Sequence, residues 1–192
     1  MVKKAGNSNT LRIIGGQYRG RKLSFPDAKG LRPTADRIRE TLFNWLQNDI
    51  NNSRCLDLFA GSGALGFEAA SRGAGYVGMV ESASVVSSQL RKNIALLGLD
   101  SVIDVFQAKA LTWIEGQTEK PFDIIFLDPP FAENYLNEII QSLAFNKCLA
   151  DRALIYIERD IKQLLPEFPE GWNLIKDKKA GQVAYSLVSY CR

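Results

Sequence analysis

The chain has 192 residues, 46% of them hydrophobic, enough for one domain with its own core, and no apolar run approaches the ~20 residues that span a bilayer. It contains no histidine, which removes Ser-His-Asp and Cys-His catalysis together with the commonest metal ligand. The net charge of +3 hides an asymmetry: residues 1–39 hold ten Lys or Arg against Asp27 and Asp36, a net +8, and the remainder is −5.

Residues 1–9 are small, polar and basic, and are expected to be disordered. They lack the apolar run of a signal peptide. Leu11–Ile14 and Arg21–Phe25 are short apolar pieces on either side of Gly15-Gly16-Gln17-Tyr18-Arg19-Gly20. That pattern predicts a β-hairpin with a basic, glycine-punctuated tip. Pro26 and Pro33 bracket a loop. Ile38, Leu42, Trp45 and Leu46 recur at helical spacing, so a helix is expected over 35–48 with Thr34 as its N-cap.

From Arg54 onward the pattern alternates. Strands are expected at Cys55–Phe59, 76–80, 102–106, 122–127 and 153–157, with helices between them, notably from about Gly63 to Arg72 and across Val85–Leu97. This predicts an α/β fold, a doubly wound, Rossmann-like and mostly parallel sheet covered on both faces. Trp172–Lys178 and Gln182–Tyr190 read as consecutive strands, which must pair antiparallel. The expected organisation is a basic tail (1–9), a basic hairpin extension (10–34) and a catalytic domain (35–192). Cys55, Cys148 and Cys191 have neither disulfide-framework nor metal-ligand spacing, which points to a reducing, cytoplasmic setting. No metal, no membrane and no oligomer beyond a monomer is expected.

The first strand runs into Asp57-Leu58-Phe59-Ala60-Gly61-Ser62-Gly63-Ala64-Leu65-Gly66. The glycines let backbone approach a ligand at the carboxyl end of the strand, where open α/β sheets bind ligands. Glu81 ends the second strand, and its carboxylate can accept both hydroxyls of a ribose. Gly61, Gly63 and Gly66 also fit the GxGxxG dinucleotide pattern, so a nicotinamide enzyme competes. Asp57 favours S-adenosylmethionine, because a carboxylate can help hold the methionine portion whereas a pyrophosphate gains nothing from a nearby anion.

Asp128-Pro129-Pro130-Phe131 follows the fourth strand on the same edge. Two prolines stiffen the backbone and remove two amide donors, leaving carbonyl acceptors. Asp128 and the Pro129 carbonyl suit an NH2 group, and Phe131 offers a flat face to a base. An exocyclic amino lone pair is delocalised into its ring, so such acceptors would orient it and stabilise the charge that develops on attack. The released proton goes either to Asp128 or to solvent. Extruding a stacked base costs a few kcal/mol, which phosphate contacts from the basic N-terminal segment can offset. Arg12, Tyr18, Arg19, Arg21 and Lys22 mix charge with an aromatic face as single-strand binders do.

With these residues placed, the chain resembles the RsmD-type family, which methylates N2 of a guanine in bacterial small-subunit (16S) ribosomal RNA. The resemblance is carried by Arg12–Leu23, by Leu31-Arg32-Pro33-Thr34-Ala35-Asp36-Arg37-Ile38-Arg39-Glu40 and its continuation to Leu46, by Leu56–Gly66, by Asp128–Phe131 and by Gly181–Tyr185. It implies a class I methyltransferase domain using S-adenosylmethionine. It also implies that Asp57, Phe59, Gly61, Ser62, Gly63 and Glu81 contact the cofactor and that Asp128, Pro129, Pro130 and Phe131 contact the guanine. Arg32 and Thr34 would lie near the site and join the RNA-binding set. One position departs from the general methyltransferase pattern. An Asp often follows the third strand to face adenine, whereas this chain reads Gln107-Ala108-Lys109-Ala110. Alternatives are a methyltransferase acting on DNA or a protein glutamine, and a non-catalytic RNA-binding module.

Overall fold

The computed structural model describes residues 9–27, 34–116, 120–129 and 135–192. The expectations for residues 1–8, Arg32, Pro33, Pro130 and Phe131 lie outside the described residues. β1 (Asn9–Arg12) and β2 (Lys22–Phe25) form the expected antiparallel hairpin, with Leu11 opposite Leu23. Asn9, expected in the tail, is already in β1. α1 (Asp36–Trp45) follows, then β3 (Arg54–Asp57), α2 (Ala64–Ser71), β4 (Tyr76–Val80), α3 (Ser84–Leu97) and β5 (Ile103–Phe106). After them come α4 (Ala110–Gly116), β6 (Phe122–Leu127), α5 (Tyr135–Phe145), β7 (Leu149–Asp160), β8 (Trp172–Ala180) and β9 (Val183–Cys191).

Seven strands form one sheet in the order β5-β4-β3-β6-β7-β9-β8. β5, β4, β3, β6 and β7 are mutually parallel, and β9 inserts antiparallel between β7 and β8. The doubly wound, mostly parallel fold is therefore present, with the antiparallel ending and the separate N-terminal hairpin. No helix among the described residues is long and apolar enough to cross a membrane.

Strand residues alternate between two cores, as the pleat requires. Cys55, Ile124, Phe126, Tyr156 and Tyr185 face the side covered by Leu42, Phe43 and Leu46 of the α1 region, Phe67 of α2 and Leu90 of α3. Leu56, Ile125, Leu127, Ile155 and Ile157 face Trp113 and Ile114 of α4 and Ile139, Ile140 and Leu143 of α5. Three boundaries differ from expectation. α1 stops at Trp45, because Leu46–Asp49 continue as turns. β3 ends at Asp57, which places Phe59 in the following loop. β7 extends to both sides of the expected 153–157, since β9 pairs with it from Arg152 to Asp160. Thr34 is not the N-cap either: Ala35 takes that position, without a side-chain cap.

The hairpin is seated on α2 through polar contacts as well as apolar ones. Ser71 accepts at its carbonyl from the Gln17 amide at 2.7 Å and at Oγ from the Tyr18 amide at 2.9 Å, and its hydroxyl donates to the Gly15 carbonyl at 2.6 Å. Gly16 has φ +73°, and a Cβ there would meet the Ser71 carbonyl oxygen at 1.8 Å, so glycine is required by conformation and by contact alike. Beneath this contact lies a buried ion pair. Arg39 of α1 is 1% exposed and Glu68 of α2 is 0% exposed, with Nη1 and Oε2 3.5 Å apart. Glu68 also accepts from the Ile14 amide at 2.9 Å and from Arg72 Nε at 2.7 Å. Arg39 donates to the carbonyls of Thr34 at 3.2 Å and Arg12 at 3.0 Å, and to Asp36 at 2.6 Å. Glu68→Ala leaves the Arg39 charge buried and is expected to cost about 3–5 kcal/mol in urea unfolding, with faster amide exchange at Ile14, Gln17 and Tyr18. A loss within the roughly 0.5 kcal/mol typical of surface changes would mean that apolar contacts alone hold the hairpin.

Candidate active site at the carboxyl edge of the sheet

The chain leaves β3 toward β4 and β5 and returns through β6 on the other side, so the strand order reverses between β3 and β6. Open α/β sheets bind ligands at such a point, beyond the strand carboxyl ends. Asp57 closes β3, Glu81 follows β4, and Asp128 follows β6, so the three predicted acids sit on that edge.

Register and pleat place a fourth acid with them. Asp57 pairs with Phe126, and Phe126 with Tyr156, so Asp57 and Tyr156 share one row on the face toward α1. Asp128 and Glu158 stand two residues beyond Phe126 and Tyr156, on the same face and at the next step toward the edge. Glu158 is 3% exposed and accepts a 2.8 Å hydrogen bond at Oε1 from the Tyr156 hydroxyl. Thr34 is buried, and its side chain hydrogen-bonds to both Asp128 and Glu158.

Burial governs the protonation of these groups. It pushes Asp57 up to about 7, and the Asp128 charge adds to it, against hydrogen bonds from the backbone at Phe59 and Gly66. The Gly66 amide reaches Asp57 Oδ2 at 3.2 Å. Burial pushes Asp128 up to about 6, with Thr34 acting in the other direction. Burial and then the Asp128 charge push Glu158 up to about 8. Asp128 and Glu158 therefore titrate as a pair in which one proton is held near neutral pH.

The glycine loop has mixed causes. Gly61 and Gly63 have φ of +49° and +81°, and Gly63 precedes α2. A Cβ on Gly63 would strike Phe67 and Leu90 at 2.4 and 2.8 Å, and one on Gly66 would strike Met79 at 2.3 Å. Those two positions are thus fixed by packing, while Gly61 turns the chain at the edge itself. Its amide donates to Glu81 Oε2 at 3.0 Å, and the Ala83 amide donates to Oε1 at 2.7 Å. Two backbone amides so fix the Glu81 carboxylate, and each oxygen keeps a lone pair for a further donor. Ser62 is buried beside this turn. Phe59 meets Tyr135 of α5 edge-on, with ring centroids 5.8 Å apart. Lys109 is exposed just before α4.

The basic N-terminal residues lie on the hairpin. Arg19, Arg21 and Lys22 are exposed. Arg12 is exposed too, 3.5 Å from Asp36. Tyr18 is half-buried against the main core. Thr34 belongs spatially to the acid cluster, and Arg39 is consumed by the ion pair with Glu68. Sequence reasoning missed Glu158 and Tyr156. A signal existed: Glu158 follows the expected strand 153–157 directly, as Asp128 follows 122–127.

The family model described as Conserved hypothetical protein 95 matches residues 11–189. Ribosomal RNA small subunit methyltransferase D of Escherichia coli strain K12 is 50% identical over 188 residues, covering 97% of this chain and 94% of that protein. The chain belongs to the RsmD-type methyltransferase family. The protein of the same description from Haemophilus influenzae is 46% identical over 179 residues, with 92% of each chain covered. The solved structure of yhhF from Escherichia coli superposes with a TM-score of 0.89 at 47% identity, over 95% of this chain and 99% of that one. These family relations extend through the hairpin as well as the sheet, because the model match begins at Leu11.

The raised carboxyls fix the sign of a pH effect. Asp57 binds its proton more tightly folded than unfolded, where its value is about 3.9. Its contribution to stability is fully present below that value and is lost as pH rises toward about 7. Relative to the parent chain, Asp57→Asn should therefore gain stability between those two pH values and then level off. Urea unfolding of the two proteins across that range measures it, and a difference independent of pH would show that Asp57 keeps an ordinary affinity for its proton.

Proposed function

We propose that the chain transfers a methyl group from S-adenosylmethionine to the N2 amino group of a guanine in small-subunit ribosomal RNA, acting in the cytoplasm as a monomer. The observation that carries this reading is Asp128 at the sheet's switch point, followed by Pro129 and set beside the Gly61 turn and Glu81. The names of the relatives at 50% and 46% identity supply the ribosomal RNA class.

The residues present fit the cofactor. Glu81 is held by two amides with lone pairs left for ribose hydroxyls, and Asp57 offers a carboxylate to a cationic methionine portion. Phe59, Gly61, Ser62 and Gly63 complete the contact set. When bound, S-adenosylmethionine supplies a methyl group already activated on a sulfonium. Asp128 and the Pro129 carbonyl accept hydrogen bonds from the amino group, aim its lone pair, and stabilise the charge that grows on nitrogen. Asp128 is mostly ionised at neutral pH and stands ready for the proton that the nitrogen sheds. Pro130 and Phe131 continue the same segment and complete the base contact.

RNA binding falls to the exposed Arg19, Arg21 and Lys22, with Arg12, Tyr18, Arg32 and Thr34 closer to the domain. The hairpin is no detachable arm, because Leu11, Ile13, Leu23 and Phe25 are buried. Substitution at its surface therefore tests it better than deletion.

Methyl transfer from labelled S-adenosylmethionine to unmethylated small-subunit RNA, free and assembled, with nucleoside analysis, tests the reading. Label is expected in N2-methylguanosine; label only in DNA or in protein glutamine would overturn the substrate. Asp128→Ala should lower turnover by about 100-fold or more while cofactor binding persists. Replacing Arg19, Arg21 and Lys22 with alanine should weaken RNA binding and flatten its logarithmic salt dependence by roughly one unit per residue. An unchanged slope would remove the hairpin from the interface.

A further inference from the structure

Glu158 has no part in the reading above, yet it is among the most buried charged residues of the chain. Its side chain lies on the face of β7 toward α1. The groups that face it are Tyr156 from its own strand, Asp128 from β6, Asp57 from β3, Tyr185 directly opposite on β9, and Thr34 from the segment before α1. Among the described residues no cation pairs with it. A buried carboxylate without a cation is costly, whereas a carboxylic acid with hydrogen-bond partners is tolerated.

Counting protons sharpens this. The Thr34 hydroxyl has one proton to give, and it hydrogen-bonds to two carboxyl groups. Satisfying both contacts requires Thr34 to donate to one carboxyl and to accept from the other, which must then be protonated. Asp128 is half-exposed at the edge, while Glu158 is 3% exposed, so the proton belongs on the deeper group. The Tyr156 hydroxyl, donating to Oε1 at 2.8 Å, supports an acid whose other oxygen faces Thr34.

We propose that Glu158 acts as a neutral carboxylic acid that positions Asp128. It donates to Thr34 Oγ1, which turns the Thr34 hydroxyl proton toward Asp128 and keeps that carboxylate ionised and fixed for the acceptor amine. The proposal rests on the methyl-transfer reading of Asp128. The upward push on Glu158 agrees with it, since it leaves the group protonated at neutral pH. When Glu158 ionises, Thr34 has one proton for two anions, and Asp128 loses its fixed orientation.

Turnover against pH distinguishes this from a structural role. The parent chain should lose kcat on the alkaline side near pH 8, where Glu158 ionises. Glu158→Gln keeps a donor to Thr34 and an acceptor for Tyr156 at every pH. It should stay within a few-fold of the parent at neutral pH and lack the alkaline loss. Glu158→Leu has no donor and should lower kcat by roughly tenfold or more, with KM for RNA and cofactor affinity little changed. An alkaline limb retained in Glu158→Gln, or full activity in Glu158→Leu, overturns the proposal. Infrared difference spectra of the parent against Glu158→Gln give a readout free of activity. A protonated carboxyl band at neutral pH that disappears above the alkaline transition is expected, and its absence overturns the proposal even if Glu158→Leu fails to fold. Asp128→Asn separates the two readings. If it is inactive while Glu158→Gln follows the parent profile, only the role of Glu158 falls. If it is fully active, the methyl-transfer role of Asp128 falls and this proposal with it.

Discussion

The buried contact between Arg39 and Glu68 is the constraint around which the site side of the molecule is arranged. Its 3.5 Å separation is an ion pair and not a hydrogen bond, and both side chains are essentially sealed from water. Such a pair recovers little net stability, because desolvation offsets most of the attraction. Apolar contacts of Ile13, Leu23, Leu42 and Phe43 supply the burial that drives hairpin and helix onto the domain. What the pair adds is registry. Arg39 binds the carbonyls of Arg12 and Thr34 while Glu68 binds the Ile14 amide, so hairpin, α1 and α2 lock in one arrangement. The position of Thr34 over the carboxyl edge follows from it.

The parallel core was legible because each strand announces itself as a short apolar run, and the doubly wound order follows from alternation with helices. The predicted acids of the edge were legible for a related reason. Asp57, Glu81 and Asp128 each interrupt an apolar strand at its carboxyl end, and in a parallel sheet those ends converge. The same signal at Glu158 passed unused because Arg159 and Asp160 follow it, and the three together read as a polar exit from the strand. In the structure β9 pairs along β7 as far as Asp160, which keeps Glu158 inside the sheet. That pairing is a long-range fact with no local trace.

Charge was legible in amount but not in destination. Arg39 counts toward the basic N-terminus in sequence, yet it is spent inside the protein on Glu68 and Asp36. Glu68 lies in a helix whose described face is buried all round, so no amphipathic period marked it as a partner. Thr34 before a helix invited a capping assignment on local grounds, but its hydroxyl finds carboxyl groups from β6 and β7 instead. Tertiary partners outcompete the local cap because the alternative is two buried carboxyls with fewer donors.

A chain without histidine must manage protons with groups whose ordinary affinities lie far from neutral pH, and depth of burial is the means this fold uses. Asp128, nearest to solvent, is raised least and remains an anion at neutral pH. Asp57, a row deeper, is raised further but is answered by two backbone amides. Glu158, without an amide or a cation, is raised most. The order of proton affinity thus follows the solvation left to each carboxyl, and one sheet edge provides an ionised acceptor, an intermediate group and a neutral acid from the same functional group. Neutralising the whole cluster with a nearby arginine would lower all of these values together and erase the difference. Under the proposed reaction that difference is what keeps an anion at Asp128 while its neighbour stays neutral, so the absence of a cation among these carboxyls is as much a part of the site as the carboxyls are.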